Sequence, residues 1–401
     1  NLEFIVPCLP KFSRKINFNH RYSCKRVFAL KKVLSILLLI VFAGILTGGY
    51  FVWDRYSRNP EQIVPFPYAF QESTEAIQLD APILIVGDRM GDYFGKFKTT
   101  LAEVISKDLA KPIKIQSIAK PGHALHRTLH ELKSLTQWPQ ILIYQGASEE
   151  FSENKFVLSE IKTIKQNFKL YADDRVETFL ILYPWLSRLV YRPIQTVKLE
   201  KNPTLIAIEE KEYLQKLETE LLLFEQQLFQ LVNMSRDRNT LLILTTTPIN
   251  LDQKPRQVCE FTTNTEIETE ILNLRELIKA KNPKEAYNRS KELIKKYTGN
   301  AELLFIHGQI SKRLGKINEA KEALLSSSAY DCSPWRVTEI HNSLIRKVAK
   351  QNQVLLFDFA KLVEGEFSQN TTFFDEIHPQ NLYYDKGMQQ LGMVIKRILK
   401  L

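Results

Sequence analysis

The run Ile83-Leu84-Ile85-Val86-Gly87-Asp88-Arg89-Met90-Gly91 decides the fold. Four apolar residues in succession, with no polar alternation, read as a strand covered on both faces, and Gly87-Asp88 reads as the turn that ends it. The same pattern recurs outward from it. Phe97–Leu109 has helical periodicity, Ile113–Ile118 is apolar and stops at Lys120-Pro121-Gly122, and His123–Leu135 is helical again. Ile141–Tyr144 is a third buried strand, ending at Gln145-Gly146. Leu241–Leu244, running into Thr245-Thr246-Thr247-Pro248, and Val354–Phe357 supply two more, and Met388–Leu401 closes the chain as an amphipathic helix. Apolar runs alternating with helix-period segments predict a doubly wound parallel sheet of about five strands, an α/β/α sandwich over residues 81–401.

Two helical insertions interrupt this domain. Residues 155–238 are mostly helical, with a long 3.6-period pattern over Glu209–Val232. Within them Phe179–Tyr191 is unusually apolar; a lid and a membrane-surface contact are open readings, and burial against the core is the expected one. Residues 265–330 contain a repeat, because Ala286 and Ala320 hold the same place in Asn282-Pro283-Lys284-Glu285-Ala286 and Lys316-Ile317-Asn318-Glu319-Ala320. Leu304, Gly308, Leu314, Gly315, Ala320 and Leu324 follow the spacing of a tetratricopeptide repeat, with Leu274 where the first copy would match Gly308. About two repeats cannot stand alone, so the insert is expected to lean on the α/β domain. Cys259 and Cys332 flank it closely, either as a disulfide tying its base or as two separate buried thiols.

The N-terminus carries a different signal. The chain of 401 residues has a net charge of +10, but residues 1–32 hold eight Lys/Arg against Glu3 alone, which leaves the remainder near neutral. That local bias excludes the broad positive field of a nucleic-acid-binding domain. With 44% hydrophobic and 25% charged residues, Gly 14 and Pro 17, the chain is neither disordered nor fibrous, and Cys 4 is too few for a disulfide-dense mini-domain. From Val33 to Val52 no charge occurs, and Tyr50 and Trp53 sit at the far end. Residues 33–53 are therefore long enough to cross a bilayer. Lysine and arginine before the run place residues 1–32 in the cytoplasm and the rest outside, as in a bacterial inner-membrane protein with a periplasmic domain. A cleaved signal peptide is the competing reading, but twenty residues is long for one and no clear A-x-A site follows. Residues 54–80, with Pro60, Pro65 and Pro67, read as a linker. The chain begins at Asn1, not a methionine, and residues 1–26, Cys8 and Cys24 included, carry little interpretation.

In an open parallel sheet, ligands bind beyond the carboxyl ends of the strands. There the sequence places Asp88-Arg89, Gly122, Gly146-Ala147-Ser148-Glu149 and, before the last helix, Asp375-Glu376-Ile377-His378. In Asp-x-x-His a carboxylate can hold the imidazole's tautomer while the other nitrogen faces a reacting group. This order resembles the SGNH/GDSL hydrolase family, in its membrane-anchored subset with helical inserts. The resemblance covers about 83–150 and 240–400. It implies a nucleophilic serine after the first strand, oxyanion donors from a glycine and an asparagine, and a C-terminal base with its orienter. Asp375, His378 and Gly122 match. Arg89 stands in the nucleophile's place and Ser148 in the asparagine's.

A guanidinium is permanently protonated and offers no attacking lone pair. The expectation is a catalytically degenerate cleft in which Arg89, with Asp88, Gly122, Gly146 and Ser148 around it, either binds an anionic group of an envelope glycan or protein partner, or pairs internally with Asp88, Glu149 or Asp375. One alternative is an active esterase or O-acyltransferase on acylated carbohydrate, with Ser148 substituting. The other is a scaffold working through the repeat insert. His123, His126 and His130 share a helical face, but the other residues of a zinc signature do not accompany them, so no metal is assigned. No phosphate-cradling or dinucleotide glycine loop follows a strand, so no cofactor is expected either.

Overall fold

The computed structural model describes residues 20–57, 66–70, 75–107, 109, 112–153, 155–183, 186–196, 209–367 and 372–399. Outside them lie residues 1–19 of the basic segment, 58–65 and 71–74 of the expected linker, 184–185 and 197–208 of the first insert, and the end of the closing helix. Residues 1–60 and 61–401 form two separate compact units. In the first, helix α1 (His20–Ser57) contains Val33–Trp53, a stretch of 21 residues with mean hydropathy 2.3 and none of its surface buried in protein. It is long and apolar enough to be a membrane anchor or a signal sequence.

The second unit is a mixed α/β domain. It begins with the two-residue strand β1 (Tyr68–Ala69), followed by β2 (Ile83–Gly87), α2 (Arg89–Gly95), α3 (Lys98–Ser106), β3 (Ile115–Ser117), α4 (Leu125–Leu132) and β4 (Ile141–Gln145). The first insert contributes α5 (Ile161–Tyr171), α6 (Asp174–Leu182), α7 (Ser187–Val190), β5 (Ile194–Gln195) and α8 (Glu210–Asp237). Strand β6 (Leu241–Thr245) precedes α9 (Thr265–Lys279), α10 (Pro283–Lys296), α11 (Ala301–Arg313) and α12 (Ile317–Ala329). Then come α13 (Glu339–Gln351), β7 (Leu355–Phe357), α14 (Phe359–Glu364) and α15 (Asn381–Leu399).

The central sheet has five parallel strands in the order β3-β2-β4-β6-β7. Alternate side chains of each strand face opposite layers. Leu84, Val86, Leu142, Tyr144, Leu242 and Leu244 join a core with α4, α8 and α13. Ile83, Ile85, Ile141, Ile143 and Ile243 join the other with α2, α3, α14 and α15. This is why β2, β4 and β6 carry unbroken apolar runs. The chain winds from β2 outward to β3, then returns to the far side of β2 with β4. The direction reverses between β2 and β4, which places a crevice at their carboxyl ends.

Three expectations need correction. The linker reading fails for residues 66–70 and 75–80. Phe66 and Leu79 are buried, β1 pairs in parallel with β5, and Ile77 bridges Leu135, so this stretch is part of the domain's surface layer. The closing helix starts at Asn381 rather than Met388, because Gly387 is no boundary. A Cβ there would come within 2.8 Å of the Phe359 ring, so the glycine serves close packing of α15 on α14. Burial of Phe179–Tyr191 holds only for some residues: Leu180 and Tyr191 are fully buried, whereas Phe179, Tyr183 and Leu189 are exposed.

The second insert forms two consecutive helical hairpins. Ala286 and Ala320 are both completely buried, and Gly308 on α11 admits the side chain of Leu324 so closely that a Cβ would lie 2.5 Å from it. Helices α9–α11 enclose their own small core around Ile267, Leu274 and Leu303. Ala320 and Leu324 of α12 belong to the sheet's core, so the insert is packed against the α/β layer. Cys259 and Cys332 form a disulfide, with Cα atoms 5.2 Å apart, across the base of this insert.

Candidate active site

The crevice is built from the turn that follows β2. Gly87 has φ +143°, and a Cβ on it would lie 1.7 Å from the carbonyl oxygen of Gln145, so only glycine lets β2 and β4 run this close together. Asp88 then caps α2, its Oδ1 accepting from the Met90 N–H at 2.8 Å. Its Oδ2 accepts from the backbone N–H groups of both Ser148 and Glu149. One buried carboxylate thus fastens the end of β2 to the loop after β4. Burial, followed by the neighbouring charge of Glu149, pushes Asp88 up from 3.8 to about 7. Between Gly146 and Ser148, Ala147 is held at φ 82°, a left-handed conformation costing roughly 1 kcal/mol in an alanine. Gly146 fits above the Tyr144 ring, and Gly122 (φ 81°) makes the turn after β3.

Arg89 is the first residue of α2, and its Nε lies 2.9 Å from Oε1 of Glu149. The Arg89 side chain is 49% exposed, that of Glu149 only 6%. The internal pairing named in the sequence is therefore made, with Glu149 rather than with Asp88 or Asp375 as the carboxylate at ion-pair distance. It leaves about half of the Arg89 side chain open to solvent. The hydroxyl of Ser148 is buried, and its hydrogen-bonding contact with Asp88 partly offsets the upward push on that carboxyl.

The second half of the crevice comes from the segment before α15. His378 Nδ1 lies 2.7 Å from Oδ2 of Asp375, while Oδ1 accepts from the N–H groups of Ile377, at 2.8 Å, and His378. Partial burial opposes the charge of Asp375, but these donors outweigh it and hold its carboxyl below the ordinary value. The same contacts fix the imidazole with Nδ1 toward the carboxylate, leaving Nε2 for a ligand. The two halves meet through Tyr93. It lies one helical turn beyond Arg89 on α2, its ring centroid is 4.8 Å from that of His378, and its hydroxyl donates to Asn381 Oδ1 at 2.8 Å. Phe374, 52% exposed, stacks on the imidazole at 5.6 Å and also touches the Tyr93 ring at 5.7 Å, so the three rings form one cluster. Asn250, in the loop after β6, donates to the backbone carbonyl of Asp375 at 3.1 Å.

A buried ionic cluster lies beside the crevice. Glu150 and Glu153 accept from the backbone N–H groups of Leu125 and Ala124 at the start of α4, and Lys155 and Arg127 pair with them in turn. Lys155 and Glu150 are almost wholly buried. The cluster pins the loop that carries Ser148 and Glu149.

Of the residues singled out in the sequence, Asp88, Arg89, Gly146 and Ser148 meet at the β2–β4 switch, Asp375 and His378 pair, and Gly122 sits on the neighbouring β3 loop. The histidine stripe has a packing role at two positions. His126 is buried against Tyr68 and Phe70 at 4.9 and 5.7 Å, and His130 stacks on Phe70 at 4.0 Å. Burial, then the charges of Lys155 and Arg127, push the His126 imidazole well below its ordinary value. Sequence reading passed over Tyr93, Phe374, Asn250, Glu150 and Lys155 as contributors. Tyr93 could have been found from its i+4 spacing to Arg89, and Asn250 from its place just past the carboxyl end of β6.

No protein-family model and no curated protein sequence matches the chain. Among solved structures it is similar to a Bacteroides fragilis protein described as a "putative acylhydrolase". That similarity has 10% identity and a TM-score of 0.32 over 85% of this chain and 95% of that one. At that distance it bears on neither the site nor its chemistry.

Proposed function

We propose that the chain is a single-pass membrane protein whose α/β domain has the frame of an SGNH-type hydrolase. Outside the cytoplasm it acts as a binding protein, holding an anionic group of an envelope glycan or protein partner at Arg89. The observation that carries this reading is the ion pair between Arg89 and Glu149 in the same crevice as an assembled Asp375–His378 pair. Serine-ester chemistry needs a hydroxyl within reach of the imidazole, and the position that would hold it bears a guanidinium. Ser148, the alternative hydroxyl, supports the same reading, because its oxygen is buried away from a substrate arriving through solvent. Arg89, whose side chain is half exposed, remains suited to a carboxylate or phosphate, and the exposed ring of Phe374 offers a flat apolar face to a sugar.

The test uses the detergent-purified full chain with p-nitrophenyl acetate and acetylated glycans. The wild type is expected to turn over no faster than His378→Ala, whereas Arg89→Ser restores a hydroxyl and gains turnover. A wild-type activity that His378→Ala abolishes would overturn the reading.

A further inference from the structure

Helices α5–α7 leave an apolar face uncovered. Phe179 on α6 and Tyr183, which caps the end of that helix, have ring centroids 5.4 Å apart, and both are about half exposed. Leu189 on α7 is 73% exposed, and Leu170 near the end of α5 is also open. Side chains of this size each stand to gain roughly 1.5–3 kcal/mol from burial, so the exposed Phe179–Tyr183 pair, with Leu189 and Leu170 open on the neighbouring helices, points to something that covers them. On α5, the exposed Lys162, Lys165 and Lys169 follow one another at i, i+3 and i+7 and line a groove with Glu212 and Gln215 of α8. Lys165 is paired with Glu218 at 3.0 Å.

A second observation says what the cover is. Phe66 packs directly on α5, its ring 4.1 Å from Phe168 and 6.2 Å from Tyr171. Only residues 58–65 separate Phe66 from Ser57, the end of the membrane-length helix. Nine peptide steps span at most about 32 Å. The tether from the end of the apolar helix to Phe66 is therefore short.

We propose that the α5–α7 face rests on the phospholipid surface from which the chain's own anchor emerges. Phe179, Tyr183 and Leu189 enter the interfacial layer, and the lysines of α5 lie over headgroup phosphates. Asp173, Asp174 and Glu177 lie on the same hairpin, so the contact is chiefly apolar, and anionic lipid strengthens it without being required. The inference rests on the anchor reading proposed above.

The test reconstitutes the full chain in vesicles of phosphatidylethanolamine with phosphatidylglycerol. The photoreactive residue p-benzoylphenylalanine replaces, one at a time, Phe179, Leu189, the exposed Leu272 of α9 and, inside the apolar helix, Ile40. Lipid adducts at 40, 179 and 189, several-fold above those at 272, are expected. Adducts at 40 with 179 and 189 no higher than 272, or with protein replacing lipid at 179 and 189, overturn the docking while the anchor stands. No lipid adduct at 40 removes the anchor, and the tethered docking with it.

Discussion

The disulfide between Cys259 and Cys332 closes a loop with a sequence separation of 73 residues that contains all four helices of the second insert. Replacing both by alanine frees that loop in the unfolded chain. The chain-entropy relation for a loop of this length gives a loss of about 4 kcal/mol at room temperature. How this appears on heating depends on whether the insert melts with the sheet. Ala320 and Leu324 of α12 share a core with Leu84 and Leu142, and Lys321 pairs with Glu364 at 2.8 Å, so one transition is expected. A cooperative unit of about 340 residues unfolds with an entropy near 0.7 kcal/mol/K, and the Tm should then fall by about 6 °C. If the roughly 65 residues of α9–α12 melted alone, the same free energy would move their own transition by about 30 °C. Calorimetry of the full chain in detergent, with intact mass to confirm oxidation, distinguishes these cases. A folded Cys259→Ala, Cys332→Ala variant with an unchanged Tm would refute the entropic account. A separate, strongly shifted transition would refute the shared core.

Three further outcomes follow from the crevice. Lys155→Met leaves Glu150 buried without its cation and should cost about 3–5 kcal/mol in chemical unfolding, while Lys155→Met with Glu150→Gln loses less. Equal losses in the two would show that the pair itself is not what is being measured. Gly87→Ala forces a Cβ into the Gln145 carbonyl and should abolish soluble, cooperatively melting protein; a variant melting within a few degrees of wild type would contradict the backbone geometry. The carboxyl of Asp88 is raised by burial and by Glu149, so its contribution to stability is whole at acid pH and is lost as pH climbs toward 7. Compared with Asp88→Asn, the wild type should therefore lose about 3 kcal/mol between about pH 5 and about pH 8, and a pH-independent difference would exclude that protonation.

Much of the fold was legible because parallel strands buried on both faces leave unbroken apolar runs, present for four of the five strands, whereas the edge strand β3 (Ile115-Gln116-Ser117) is only half-buried and interrupts its apolar residues with polar ones. The helix boundaries were less so. Gly387 resembles a stop signal in one dimension and is a packing contact in three. The segment around Phe66 and Leu79 looked like a linker because prolines and short apolar pieces carry no period, yet its partners lie in β5, α5 and the loop after α4.

At the crevice, the chain alone determined which residue types sit beyond the strand ends: a carboxylate at 88, a fixed cation at 89, a short hydroxyl at 148, and a carboxylate three residues before an imidazole at 375 and 378. These are properties of residue identity and short-range spacing. Which carboxylate answers Arg89, whether the Ser148 hydroxyl meets solvent, and which rings flank His378 were decided only by tertiary structure. Those contacts join positions roughly sixty to nearly three hundred residues apart, and no local pattern encodes the direction in which a side chain leaves a loop.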